Sequence, residues 1–159
     1  MIISGFAGVG KSTFAKNHPD IAVDLESSDY KWIFGKSIED MEVESRKGQT
    51  DKILNPDFPD NYFKAITDSI GKYKYIFISM DENIREMLES ANIEYSVAYP
   101  HVECKQEYIE RYKMRSNSEN FVNLLESKFE EWILALEKYP GDKIVLNHGE
   151  YLESKLNIL

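Results

Sequence analysis

The chain opens with a short apolar run, Met1 to Ser4, that leads straight into Gly5-Phe6-Ala7-Gly8-Val9-Gly10-Lys11-Ser12. This stretch fits G-x-x-x-x-G-K-[ST] at every fixed position, and it constrains the fold more than any other feature. Each residue type has a physical reason. Glycines let the backbone turn tightly and approach a ligand closely. The N–H groups from Gly5 to Thr13, those of Ala7, Gly8, Val9 and Gly10 among them, then converge into an anion-binding nest. Lys11 supplies a mobile positive charge for β- and γ-phosphate oxygens, and Ser12 a hydroxyl suited to Mg²⁺. By chance a chain of this length would contain the pattern about once in two hundred. The pattern requires a strand before the loop and a helix after it, and both are expected here.

The 159 residues fit one domain. No repeat or low-complexity linker interrupts them. Strands are expected at 1–4, 21–25, 73–79, 94–99 and 143–146. Helices are expected from Lys11 to Asn17, ended by Pro19, and around Phe63, Ile66 and Ile70, ended near Gly71. Another should follow Asp81, which suits its cap. A long helical region follows Pro100, and a short helix closes the chain. Strands alternating with helices argue for an α/β fold with a parallel sheet covered on both faces. Residues 30–73 contain no strongly strand-like run and read as a helical insert. From Ser118 onward, Phe121, Leu124, Leu125, Phe129, Trp132, Ile133 and Leu136 share one helical stripe and are expected to be core.

In such sheets ligands bind at the carboxyl ends of strands, which draws attention to Asp24-Leu25-Glu26-Ser27-Ser28-Asp29. Asp24 is a candidate to hold a Mg²⁺-bound water or to accept a proton from an attacking hydroxyl. Glu26 and Asp29 are candidates for binding an acceptor. A rival carboxylate, Asp81, is more simply explained as a helix cap. Arg111 and Arg115 share a helix face, and guanidinium groups suit the charge that develops on a transferring phosphoryl group. The stretch 101–118 is therefore a candidate lid, with Arg115 to Ser118 as its hinge. Arg85 and Arg46 could bind an acceptor phosphate. Tyr62 is expected in the core, with a substrate platform as the alternative. Asn147, Gly149 and Tyr151, beyond the last strand, are placed to lie against a nucleotide base.

The net charge of −9, with cations scattered among acids, argues against nucleic acid as the main ligand. One cysteine, Cys104, permits no internal disulfide and fits a reducing, cytoplasmic compartment. The three histidines and single cysteine form no zinc pattern. No run reaches the roughly 18 apolar residues of a membrane span, and the N-terminus lacks a signal peptide's basic region.

Taken together, Gly5–Thr13, Asp24-Leu25-Glu26, the arginines at 111 and 115 and the stretch Asn147–Tyr151 resemble the P-loop kinases of the adenylate-kinase-like group. The stretches Asn55–Tyr62 and Glu110–Asn117 are similar to those of small bacterial and phage nucleotide-kinase-like proteins. The resemblance implies a three-layer P-loop NTPase fold with a five-stranded parallel sheet of order 2-3-1-4-5, a helical lid, and ATP with Mg²⁺ as cofactors. It also implies an acceptor region between strands 2 and 3, and phosphoryl transfer to a nucleoside monophosphate. Where many nucleoside monophosphate kinases carry an Asp-Gly-x-Pro-Arg-like segment, this chain has Asp81-Glu82-Asn83-Ile84-Arg85. Two other functions stand beside that one. A hydroxyl of a small metabolite, nucleoside or polynucleotide end could be the acceptor, or the chain could bind nucleotide without kinase activity. The guanine-reading string Asn-Lys-x-Asp of GTPases is absent.

Overall fold

The computed structural model describes residues 1–159, Glu44 by its backbone alone. Five parallel strands form the central sheet: β1 (Ile2–Gly5), β2 (Ala22–Leu25), β5 (Tyr75–Ile78), β6 (Tyr95–Pro100) and β7 (Lys143–Leu146). Their spatial order is β2-β5-β1-β6-β7, the order 2-3-1-4-5 once the insert's strands are set aside. The register runs from Ile2 opposite Ile76 and Tyr95 to Ser4 opposite Ile78 and Val97. β1, β5 and β6 are buried at every residue, so both faces of the sheet's centre are covered. That is why Tyr75–Ile78 reads as an unbroken apolar run, and Ser4 and Ser96 are the buried polar residues of the two neighbouring strands.

Helix α1 (Lys11–Asn17) packs through Phe14, whose ring meets Tyr75 and Phe77 edge-on at 5.6 and 5.4 Å. α4 (Asp60–Ser69) buries Tyr62 and Ile66, and α5 (Glu82–Ser90) buries Ile84 and Leu88. Asp81 caps α5, accepting the Ile84 N–H at 3.3 Å, as its position before the helix predicts. After β6, a 3₁₀ turn (Val102–Cys104) leads into α6 (Lys105–Met114), and α7 (Glu119–Glu137) follows the break at 115–118. Ser118 caps α7 by accepting the Phe121 N–H at 3.3 Å. The chain closes on a 3₁₀ turn, Leu152–Ser154. No helix among the described residues is long and apolar enough to cross a membrane.

Two expectations need correction. The insert contains a two-stranded antiparallel ribbon, β3 (Trp32–Phe34) with β4 (Lys52–Leu54), alongside the short helices α2 (Ser28–Lys31) and α3 (Val43–Arg46). Three-residue strands are too short to show alternation, and Gly35 N–H donating to Asp51 O at 2.7 Å closes a pairing that no local pattern announces. The core face of α7 is Val122, Leu125, Phe129, Ile133 and Leu136. Leu124 is 48% exposed, and Phe121 and Trp132 are only partly buried. A 19-residue helix drifts around its axis, so the stripe's edge turns out of the core and lines a cleft instead.

Candidate functional site

The loop between β1 and α1 is shaped by two left-handed residues, Gly8 at φ 86° and Gly10 at φ 96°. A Cβ at Gly8 would meet the Tyr112 ring at 3.0 Å, and one at Gly10 the Tyr151 ring at 3.1 Å. Both conformation and space therefore call for glycine. Phe6 N–H donates to Ala98 O at 2.8 Å and the Phe6 ring packs edge-on against Phe129 at 5.5 Å, so the loop is anchored to β6 and α7. Tyr112 Oη donates to Ala7 O at 3.0 Å. Val9 is fully buried, and Leu152 N–H donates to its carbonyl at 3.0 Å. Lys11 curls back over the loop, its ammonium donating to Gly5 O at 2.7 Å and to Phe6 O at 3.4 Å. Burial pulls the Lys11 ammonium below its ordinary pKa. Asp24 and Glu26 oppose that shift, while Lys47 and Arg115 add to it.

Ser12 Oγ donates to Asp24 Oδ2 at 2.7 Å, joining α1 to the end of β2. The other carboxylate oxygen, Oδ1, is buried without a hydrogen-bond partner, which is uncommon and calls for an explanation. Burial pushes the Asp24 carboxyl up, against Lys11 and the Ser12 hydroxyl. Glu26 accepts from Ser79 Oγ at 3.3 Å and pairs with Lys47 Nζ at 3.6 Å. Burial raises the Glu26 carboxyl, but Lys47 and Lys11 outweigh it and hold the group below its ordinary range. Asp29 pairs with Arg46 at 3.4 Å, and the Arg46 guanidinium lies 4.7 Å from the Phe34 ring centre. Thr13 is exposed beside Ser12. Of the two rival carboxylates, Asp24 faces the loop's serine, whereas Asp81 is engaged by the α5 cap and by Lys31 at 3.8 Å.

Arg111 and Arg115 sit differently. Arg111 is 8% exposed. It donates to Gly8 O at 2.9 Å and Glu150 O at 3.0 Å, and pairs with Glu107. Its guanidinium lies between the Tyr108 and Tyr151 rings, 4.4 and 3.8 Å from their centres. It fixes the outside of the loop between β1 and α1; of the two expected lid arginines, Arg111 is thus held by three polar partners and two rings. Arg115 lies at the α6–α7 break, half-buried, lines the cleft, and its charge reaches Lys11.

The stretch after β7 is organised by carboxylates. Glu150 accepts from the Asn147 N–H at 2.7 Å and from Asn147 Nδ2 at 3.1 Å. Glu107 accepts from the Gly149 N–H at 3.1 Å and bonds His148 Nδ1 at 3.0 Å. Gly149 takes φ 74°, and Tyr151 is 45% exposed with Gly10 beside it. Cys104, Glu107 and His148 present ligand atoms within 4.8 Å of one another, but the guanidinium on Glu107 disfavours a cation there.

The loop from Gly5 to Thr13 apart from Val9, together with Asp24, Glu26, Asp29, Arg115 and Tyr151, borders one cleft of about 1950 Å³, whereas Asn147, Gly149 and Glu107 lie outside it. That volume exceeds the roughly 300–1,000 Å³ of a single small-molecule site, because the cleft runs on past the loop to Pro19, Tyr73 and Leu136. Arg46 and Arg85 line the cleft, each with its Nε buried and without a hydrogen-bond partner. Three contributors escape sequence reasoning. Lys47 sits in a charged loop of unremarkable composition. Tyr62 is buried as expected, yet its hydroxyl donates to Leu25 O at 2.6 Å and accepts the Ser79 N–H at 3.0 Å. Ser79 in turn donates to Glu26. Only the position of Ser79 at a strand's carboxyl end was a signal. No family model matches this chain, and no curated protein matches it in sequence.

Proposed function

We propose that this chain is a phosphotransferase of the P-loop kind, which holds Mg-ATP on Gly5–Thr13 and passes the terminal phosphoryl group to the phosphate of a small acceptor, a nucleoside monophosphate. One observation carries the reading: the loop's Ser12 hydroxyl meets Asp24 across from β2, with a buried Asp24 oxygen left unpartnered. A hydroxyl and an orphaned carboxylate oxygen are the hard oxygen donors that suit Mg²⁺, so Ser12 and Asp24 fit that ion, Asp24 through a bound water or directly. When bound, the ion neutralises phosphate charge.

The chain's own groups do the rest by positioning and charge. Lys11 leaves the loop carbonyls for phosphate oxygens. Arg115 faces the transferring group from the α6–α7 break. The acceptor's phosphate lies toward Arg46 and Arg85, whose unpartnered Nε atoms support that placement, and Glu26 and Asp29 border its other groups. Tyr151, which borders the cleft beside Gly10, lies on the base side. A second reading has its own support: burial raises the Asp24 pKa and so makes its carboxylate a stronger base than an ordinary aspartate, which suits proton removal from a hydroxyl acceptor.

A coupled ADP-release assay with Mg-ATP and a panel of monophosphates, nucleosides and small alcohols separates these. Acceleration by one monophosphate supports the leading reading, and acceleration by an alcohol supports the second. Slow hydrolysis indifferent to every acceptor leaves a nucleotide-binding module. Absence of Mg-nucleotide binding in calorimetry sinks all three.

A further inference from the structure

We infer that Lys47, carried to the phosphate loop by the insert, is a charge-stabilising residue of the transfer step; this rests on the phosphotransferase reading above. The Lys47 side chain is 14% exposed. Its ammonium sits 3.6 Å from Glu26 and 5.3 Å from the centre of the Phe121 ring. Its charge is felt at Lys11, Asp24 and Asp29. A lysine drawn this far out of water, toward another lysine, works against solvation and like-charge repulsion. Glu26 beside it, with Asp24 and Asp29 within reach of its charge, keeps a cation in the lining of the cleft, on the side facing Lys11.

The backbone around Lys47 is built to bring it there. Gly48 takes φ 80°, and a Cβ on it would meet Ser118 Oγ at 2.3 Å and the Phe121 amide nitrogen at 3.1 Å. Ser118 Oγ donates to Lys47 O, and Ser45 Oγ donates to Ser116 O at 3.3 Å. The insert is thus clasped to the α6–α7 break at Ser116 and Ser118, just after Arg115, so Lys47 and Arg115 reach the cleft on one joined element. Lys11 approaches from the loop itself.

In the step, an ionised oxygen of the acceptor phosphate forms a bond to the γ-phosphorus. The bond from that phosphorus to the β,γ-bridging oxygen breaks, and its electron pair leaves with ADP. No proton need move. Lys47 exchanges Glu26 for the equatorial oxygens, stays protonated and donates hydrogen bonds where charge accumulates.

The test uses full-length chain with Lys47→Ala, Lys47→Arg and Gly48→Val, each checked by thermal melting. Lys47→Ala should lower kcat by about 10²-fold, as loss of one preorganised donor does. Affinity for Mg-ADP should stay within about threefold, while affinity for Mg-ADP with aluminium fluoride, a mimic of the transferring group, falls in step with kcat. Lys47→Arg should recover part of both losses. Gly48→Val should lower kcat with an intact lysine, because the clasp cannot close. If wild-type chain binds no Mg-nucleotide, the phosphotransferase reading fails and this inference with it. If wild type binds the fluoride complex and Lys47→Ala binds it equally well, the inference alone is overturned.

Discussion

Arg111 donates to the carbonyl of Gly8 at 2.9 Å, so a residue of α6 holds the back of a loop that lies at the other end of the chain. The same guanidinium serves Glu150 and Glu107 and is closed between two tyrosines. Arg111→Ala would take the guanidinium from the Gly8 and Glu150 carbonyls and leave the Glu107 carboxylate with only the Gly149 amide and His148. The expected loss is about 3 kcal/mol of folding stability, as for one side of a buried charged pair, measured by urea denaturation. Arg111→Lys should recover less than half, since a point charge cannot serve a planar set of acceptors.

Glu107 gives this network a pH signature. Burial raises its carboxyl, but the Gly149 amide, His148 and Arg111 together hold it below its ordinary value of 4.5. A depressed carboxyl contributes stability above the unfolded value, and that contribution disappears as pH falls through the folded one. Glu107→Gln should therefore destabilise the chain at pH 7 by about 1–3 kcal/mol. The gap to wild type should narrow below pH 4.5 and close at the acid end. A gap that stays constant from pH 7 to pH 3 would contradict the assignment.

Ser12 and Asp24 should behave as a coupled pair. Ser12→Ala and Asp24→Asn are each expected to weaken nucleotide binding in Mg²⁺ about tenfold or more, and to change metal-free binding little. The double variant should lose less than the sum of the single losses. Calorimetry with and without Mg²⁺ reads this directly.

Gly10→Ala meets both a φ of 96° and the Tyr151 ring. The expected cost is about 1–3 kcal/mol from the backbone alone. Adding Tyr151→Ala frees space but leaves φ unchanged, so thermal melting should show only partial rescue.

Arg115→Ala should lower kcat by 10²-fold or more, the scale seen for arginines that stabilise phosphoryl transfer, with nucleotide affinity changed less than about threefold. Single-turnover kinetics beside calorimetry separates the two quantities. An unchanged kcat would remove Arg115 from the step.

What was legible in the sequence was what local chemistry dictates. Isolated apolar runs such as Tyr75–Ile78 have no plausible place except a doubly covered strand, and Asp81 before Ile84 can hardly be other than a cap. The glycine pattern announced the loop because positive φ leaves few choices. The contacts that escaped all depend on distant residues. Whether Arg111 faces a ligand or Gly8 is decided by where α6 docks, and periodicity places it on a helix face without saying what that face meets. Lys47 is conspicuous only once Gly48 is seen against Ser118. Leu124 belongs to the apolar stripe by spacing, yet the stripe outruns the surface available to bury it.

The hydroxyl of Tyr62, lodged between Leu25 O and Ser79 N, has a mechanical consequence. It stands where β2 and β5 would otherwise add one more rung to their ladder, and so acts as a wedge that keeps the two strands apart by the width of an oxygen. The crevice at the sheet's edge is thus propped open by a side chain of α4, independent of any guest. A phenylalanine there would fill the same space but span nothing, and the floor of the cleft would have to settle or flood.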